Sequence, residues 1–224
     1  MPTARYDGHT AWYEGFAAAD VFASARQQAV RFLGPGPGSC LDLGCGTGRA
    51  IPLLTEAGWT VVGTDVSSDQ LAAAETHAGE LAEQLIRADA HDLPFVDETF
   101  DAVISILTHT DFDDVGAVFR EVRRVLRTQG TFAYVGVHPC FASPSVERPA
   151  DGPAVLHAGY RDAGWQHVSR DPENPGIRSR VGINHLPLPA LLNAALESGL
   201  TLTELAEPGE TDPPLFLGFR AEKR

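Results

Sequence analysis

Apolar and polar positions along the chain follow two alternating periods. From Trp12 to Phe32 the apolar side chains (Trp12, Phe16, Ala19, Phe22, Ala23, Val30, Phe32) recur at helical spacing, which predicts one helix. Gly34-Pro35-Gly36-Pro37-Gly38 ends it, because proline cannot continue a helix and glycine favours turns. Shorter apolar runs follow. Cys40 to Leu43 and Trp59 to Asp65 predict strands, with a helix from about Arg49 to Ala57 between them. Ser67 or Ser68 caps a further helix that runs to about Ala78. Gln84 to Ala88 is a weaker third strand, and Phe100 to Ile106 a fourth, apolar enough to be covered on both faces. An amphipathic helix from Val115 to Leu126 turns Val118, Val122, Val125 and Leu126 inward and leads to a fifth strand, Thr131 to Val137. Such alternation implies a doubly wound, mostly parallel sheet with helices on both faces.

From Pro139 to about Gly176 the pattern fails. The stretch is dense in Pro, Gly, Ser, Asp and His and holds Phe141, Tyr160 and Trp165. A loop of that length is usually functional or disordered. Pro189 to Leu200 then reads as a helix, and Leu202 to Leu205 and Leu215 to Arg220 as strands. Only a turn fits between those strands, so they should pair antiparallel as a hairpin at the sheet edge.

Composition narrows the function. The 224 residues carry 17 Lys and Arg against 30 Asp and Glu, a formal net charge of -13. That balance repels phosphate backbones and anionic lipid, and so argues against nucleic-acid or membrane-surface partners. Cys40, Cys45 and Cys140 are an odd number with no Cys-x-x-Cys pair, which disfavours a disulfide framework or structural zinc. No apolar run approaches the ~18 residues that cross a bilayer, and the N-terminus lacks the apolar stretch of a signal peptide. The expectation is a soluble cytoplasmic protein.

The most specific segment is Leu41-Asp42-Leu43-Gly44-Cys45-Gly46-Thr47-Gly48, set between a predicted strand and a helix. Its glycines let a ligand approach the backbone. Asp65 ends the next strand, where an acidic residue bonds ribose hydroxyls. A dinucleotide fingerprint reads G-x-G-x-x-G, whereas Gly44, Gly46 and Gly48 read G-x-G-x-G, with Arg49 next.

Asp42 to Gly48 resembles the first motif of class I S-adenosylmethionine-dependent methyltransferases. Ala88-Asp89-Ala90-His91-Asp92-Leu93-Pro94-Phe95, with Phe100-Asp101-Ala102-Val103, resembles the second block of their small-molecule subgroup related to quinone methyltransferases. Phe119 to Arg127 followed by Gly130 resembles the third, with Thr128-Gln129 where relatives commonly carry Pro-Gly. The likeness covers about residues 38 to 138. It implies a seven-stranded Rossmann-like sheet with an antiparallel last strand, an N-terminal helical cover (1–37), a cofactor core (38–138), an inserted substrate lid (139–186) and a C-terminal helix and strand pair (187–224).

The resemblance also implies roles. Gly44, Cys45, Gly46 and Gly48 would pack against the methionine part of S-adenosylmethionine, Asp65 beside Val66 would hold its ribose, and Asp89 and the Ala90 N–H would read the adenine. Ser105 and Ile106 would offer backbone to the methionyl amine. Asp42 either touches the cofactor or positions the loop. Tyr6, Trp12 and Tyr13 lie in a segment that often covers the cofactor.

A hydroxyl acceptor benefits from a nearby base, and histidine titrates near neutral pH. His138 after strand five and His109 after strand four are the candidates, with His185 a third, since ligands of open α/β sheets bind at the strands' C-terminal ends. Phe141, Tyr160 and Trp165 are candidate walls for the acceptor. No zinc-type spacing of ligands is apparent. The sequence therefore reads as a methyltransferase acting on a small molecule, most simply at a hydroxyl oxygen. Transfer to nitrogen or carbon, or cofactor binding without transfer, are the alternatives.

Overall fold

Side chains alternate across the strands and divide the core in two. In β1 (Gly38–Leu43), Leu41 and Leu43 face one layer and Cys40 the other. The same division recurs in β4 (Phe100–Ile106), with Val103 against Ala102 and Ile104, and in β5 (Leu126–Val137), with Phe132 and Tyr134 against Ala133 and Val135. This period of two requires cover on both faces. The computed structural model describes residues 4–79, 84–149, 152–167 and 176–224.

Five helices precede the end of β5. α1 (Thr10–Ala17) and α2 (Val21–Leu33) stand where one helix was expected, broken at residues 18–20. α3 (Ile51–Glu56) follows β1, and α4 (Ser68–Ala78) follows β2 (Trp59–Asp65). Of the two serines Ser67 is the cap, its Oγ accepting from Gln70 N at 3.1 Å. β3 (Leu85–Arg87) is short. α5 (Val115–Val125) buries Val115, Val118, Phe119, Val122 and Val125 against the sheet.

The long segment after β5 has structure of its own. β6 (Val146–Glu147) pairs antiparallel with β7 (Val155–Leu156), and β8 (Gly164–Gln166) pairs with β9 (Ile183–His185), α6 (Gly176–Val181) lying between the latter two. The parts at 150–151 and 168–175 lie outside the described residues. α7 (Leu188–Glu197) then leads to β10 (Leu200–Ala206) and β11 (Phe216–Lys223).

The main sheet has seven strands in the order β3-β2-β1-β4-β5-β11-β10. Its first five are parallel, and β11 runs antiparallel to both β5 and β10. The terminal hairpin is therefore at one side of the sheet as expected, but the last strand lies inside and β10 forms the edge. The strand order reverses beside β1 and β4, so the crevice above their C-terminal ends is where a ligand belongs.

Candidate active site

The glycine turn after β1 is held from the neighbouring strand. Cys45 N donates to Thr64 O at 2.9 Å, and Gly46 N donates to Asp65 Oδ2 at 2.9 Å. Asp65 Oδ1 accepts from Ser67 N at 2.9 Å, so one carboxylate ties the turn to the start of α4. Burial raises the Asp65 pKa against these bonds, which pull it down. Gly44 has φ +70, and a Cβ there would stand 2.6 Å from Thr108 Cγ2, so the position excludes side chains twice over.

Three cavities open around this turn. The first, of about 820 Å³, is lined by Leu43, Gly44 and Gly46, by Asp65 and Val66, by Asp89 and Ala90, and by Tyr6, Asp111 and Phe112. Asp89 Oδ1 accepts from His91 N at 2.9 Å and pairs with His91 Nδ1 at 2.8 Å, which fixes the carboxylate at the rim. The second, of about 530 Å³, adds Asp42, Cys45 and Arg26. Asp42 is 2% exposed, and its Oδ2 has no hydrogen-bond partner among the described residues. Burial, with the nearby Asp65 charge, pushes its pKa up to about 7. The third, of about 830 Å³, is walled by Phe16, Phe22, Phe216, Val137, Ile177 and Ile183 and also takes in Tyr6, Asp111 and Arg178. Tyr13 and Leu107 line all three.

Leu107 has φ +62, an unusual conformation for a residue with a side chain. Its N–H donates to Val135 O at 2.7 Å, which anchors the turn where β4 meets the crevice. Such outliers concentrate where function over-determines the backbone. Tyr6 and Tyr13 arrive from the N-terminal segment, which is tied down by Arg49 to Glu14 Oε2 (2.7 Å), Gly8 N to Asp69 Oδ2 (2.8 Å) and Ser67 Oγ to Asp7 Oδ1 (2.5 Å).

Several expected positions lie elsewhere. Gly48 lines none of these cavities; its φ is +78, and a Cβ would meet Ala74 of α4 at 3.1 Å, so it serves helix packing. Ser105 is buried with its Oγ on Thr108 Oγ1, and Ile106 and Leu107 face the cavities instead. Trp12 stacks on Phe16 and lines no cavity described above.

The three candidate histidines, His138, His109 and His185, also lie outside the cavities. His138 is 3% exposed, its Nε2 paired with Glu207 at 2.9 Å and its Nδ1 accepting from Cys140 N at 3.1 Å. His109 is 2% exposed, with Nδ1 on the Tyr134 hydroxyl at 2.6 Å, and burial pushes its pKa down to about 3. His185 Nε2 bonds Tyr160 O at 2.7 Å. Each ring is committed to a partner inside the fold rather than to a cavity.

The expected acceptor walls changed too. Phe141 packs on His138, the Tyr160 hydroxyl accepts from Leu188 N, and Trp165 donates to Asp113 beneath the Arg5 guanidinium. Two residues of the site were missed in the sequence, Asp111 and Arg26. The signal for Asp111 was present, an acidic residue just past a strand end in Thr108-His109-Thr110-Asp111. Among the described residues no group of three or more His, Cys, Asp or Glu could hold a metal ion. No helix among them is long and apolar enough to cross a membrane.

Residues 41–134 match the family model described as a methyltransferase domain. Over that stretch the chain is similar to a methyltransferase domain.

Among curated relatives, a probable phthiotriol/phenolphthiotriol dimycocerosates methyltransferase of Mycobacterium ulcerans is 28% identical, over 66% of this chain and 58% of its own. A fatty-acid O-methyltransferase of Mycolicibacterium smegmatis is 34% identical, over 52% and 43%. The chain spans about half the length of the curated relatives it matches. A solved S-adenosylmethionine-dependent methyltransferase from Mesorhizobium loti shares the fold, with a TM-score of 0.71 at 24% identity, covering 96% of this chain and 99% of that one.

Proposed function

We propose that the protein transfers the methyl group of S-adenosylmethionine to a hydroxyl oxygen of a small, largely apolar molecule. The observation that carries this reading is the meeting of three cavities at Tyr13 and Leu107, one lined by Asp65 and Asp89, one by Asp42 and Arg26, and one by apolar rings. The first two fit the two ends of the cofactor. Each Asp65 oxygen spends one lone pair on a backbone N–H and keeps capacity for a ribose hydroxyl. Asp89 and Ala90 stand at the adenine end. The orphaned Asp42 oxygen and the Arg26 guanidinium, both on the second cavity, match the opposite charges of an amino acid's ammonium and carboxylate. Gly44, Cys45 and Gly46 line it without bulk between them.

When bound, the cofactor supplies an electrophilic methyl group on a sulfonium. The chain's part is to bring an acceptor into line with that carbon and to exclude water, and positioning of this kind supplies much of the acceleration. The segment 139–186 contributes Ala142, Ile177, Arg178, Gly182 and Ile183 to the third cavity, which supports reading it as the acceptor side. The likeness to a fatty-acid O-methyltransferase supports oxygen as the acceptor atom.

Calorimetry with S-adenosylhomocysteine, with radiolabelled methyl transfer into hydroxylated small molecules, tests the reading. Asp65→Asn should lose one charge-assisted hydrogen bond to ribose, roughly 1.5–3 kcal/mol or about tenfold to a hundredfold in affinity. Wild-type protein that binds a nicotinamide dinucleotide in preference to S-adenosylhomocysteine would refute it.

A further inference from the structure

Among the described residues Asp111 is the one carboxylate that the first and third cavities share, and Tyr6 and Tyr13 are the hydroxyls they share with it. The Tyr6 hydroxyl donates to Asp111, 3.3 Å from Oδ1 and 3.2 Å from Oδ2. Asp111 sits in the single 3₁₀ turn His109–Asp111, directly beyond β4 and the strained Leu107, so the sheet end presents it at the join of the two spaces. None of the three histidines reaches that join.

We propose that Asp111 is the catalytic base that takes the proton from the acceptor hydroxyl. The proposal rests on the reading above that this site transfers methyl to oxygen. The acceptor O–H bond breaks as its proton passes to a carboxylate oxygen of Asp111. The acceptor oxygen forms the new bond to the methyl carbon, and the carbon–sulfur bond pair stays on sulfur, giving the methyl ether and S-adenosylhomocysteine. Asp111 then releases its proton to solvent. Tyr6 holds the carboxylate in place as a donor, and its own ionisation is suppressed by burial and by the Asp111 charge.

The charged and titratable groups around Asp111 fit this use. Burial raises its pKa to about 7, and Asp65 across the first cavity adds to the rise, while the Tyr6 hydrogen bond and the Arg5 charge oppose it. Tyr13 from α1 faces the same carboxylate and stays protonated. A base with a pKa near the working pH combines availability with driving force.

The test compares two acceptors with the intact protein at about pH 8: phenol, which is neutral there, and pentafluorophenol, which is already ionised. Asp111→Asn keeps an oxygen for the Tyr6 hydroxyl but cannot take a proton. It should slow labelled methyl transfer to phenol by about a hundredfold or more, the scale of a lost general base. Transfer to pentafluorophenol should fall by less than about fivefold, and S-adenosylhomocysteine affinity should stay within about threefold, because neither needs the base. Equal losses on both acceptors, or no loss on phenol, overturn the proposal. So does a wild-type protein that binds S-adenosylhomocysteine but methylates neither phenol, a result that leaves the cofactor site standing. A wild-type protein that fails to bind S-adenosylhomocysteine brings down the underlying reading and this one with it.

Discussion

Replacing Asp42 with asparagine should change how the stability of the free protein depends on pH. The carboxylate is buried at the end of β1, with one oxygen unpartnered and Asp65 adding like charge. Its pKa rises from 3.8 to about 7 in the folded chain. Between those values the folded state holds a proton that the unfolded state has released, so stability falls as pH rises. The contribution is fully present below about pH 4 and lost through about pH 7, and three pKa units correspond to a loss on the order of 4 kcal/mol. Asp65 and Asp111, also raised, act in the same direction, so only the difference between wild type and variant isolates Asp42. Chemical denaturation at several pH values across this window should show the wild type losing stability relative to Asp42→Asn. At about pH 8 the free variant should be the more stable protein, because no buried charge remains uncompensated. S-adenosylmethionine should reverse that order, since on the proposed reading its ammonium would partner the carboxylate. Parallel pH profiles for the two proteins would refute the reasoning.

Two further outcomes follow from the geometry. His138→Ala should lower methyl transfer less than about threefold, since the ring is committed to Glu207 and Cys140 and lines none of the three cavities, and a hundredfold loss in a kinetic assay would restore it as a base. Gly44→Ala should lower the melting temperature and weaken S-adenosylhomocysteine binding together, because its Cβ meets Thr108 and its φ is positive; strain of this kind costs on the order of 1–3 kcal/mol.

The sheet was legible because buried parallel strands leave uninterrupted apolar runs, and Asp65 and the glycine turn because a tight backbone approach leaves only glycine. The break between α1 and α2 was not, since Ala18-Ala19-Asp20 contains neither proline nor glycine. The burial of the histidines was not legible either. Chemistry nominated His138 and His109, but whether a side chain lines the crevice depends on partners far along the chain, Glu207 for one and Tyr134 for the other. Asp111 did carry a signal, its place just past a strand end, but its partner Tyr6, 105 residues earlier, could not be read from the sequence.

That contact has a kinetic consequence. Tyr6 and Tyr13 border the first and third cavities together, and the stretch carrying them is fastened by Asp7, Gly8 and Glu14 to α4 and to the turn before α3. On the proposed reading, cofactor and acceptor would both leave past this stretch of chain. Turnover should then depend on how often those few bonds open, and a saturating acceptor should slow the exchange of spent cofactor.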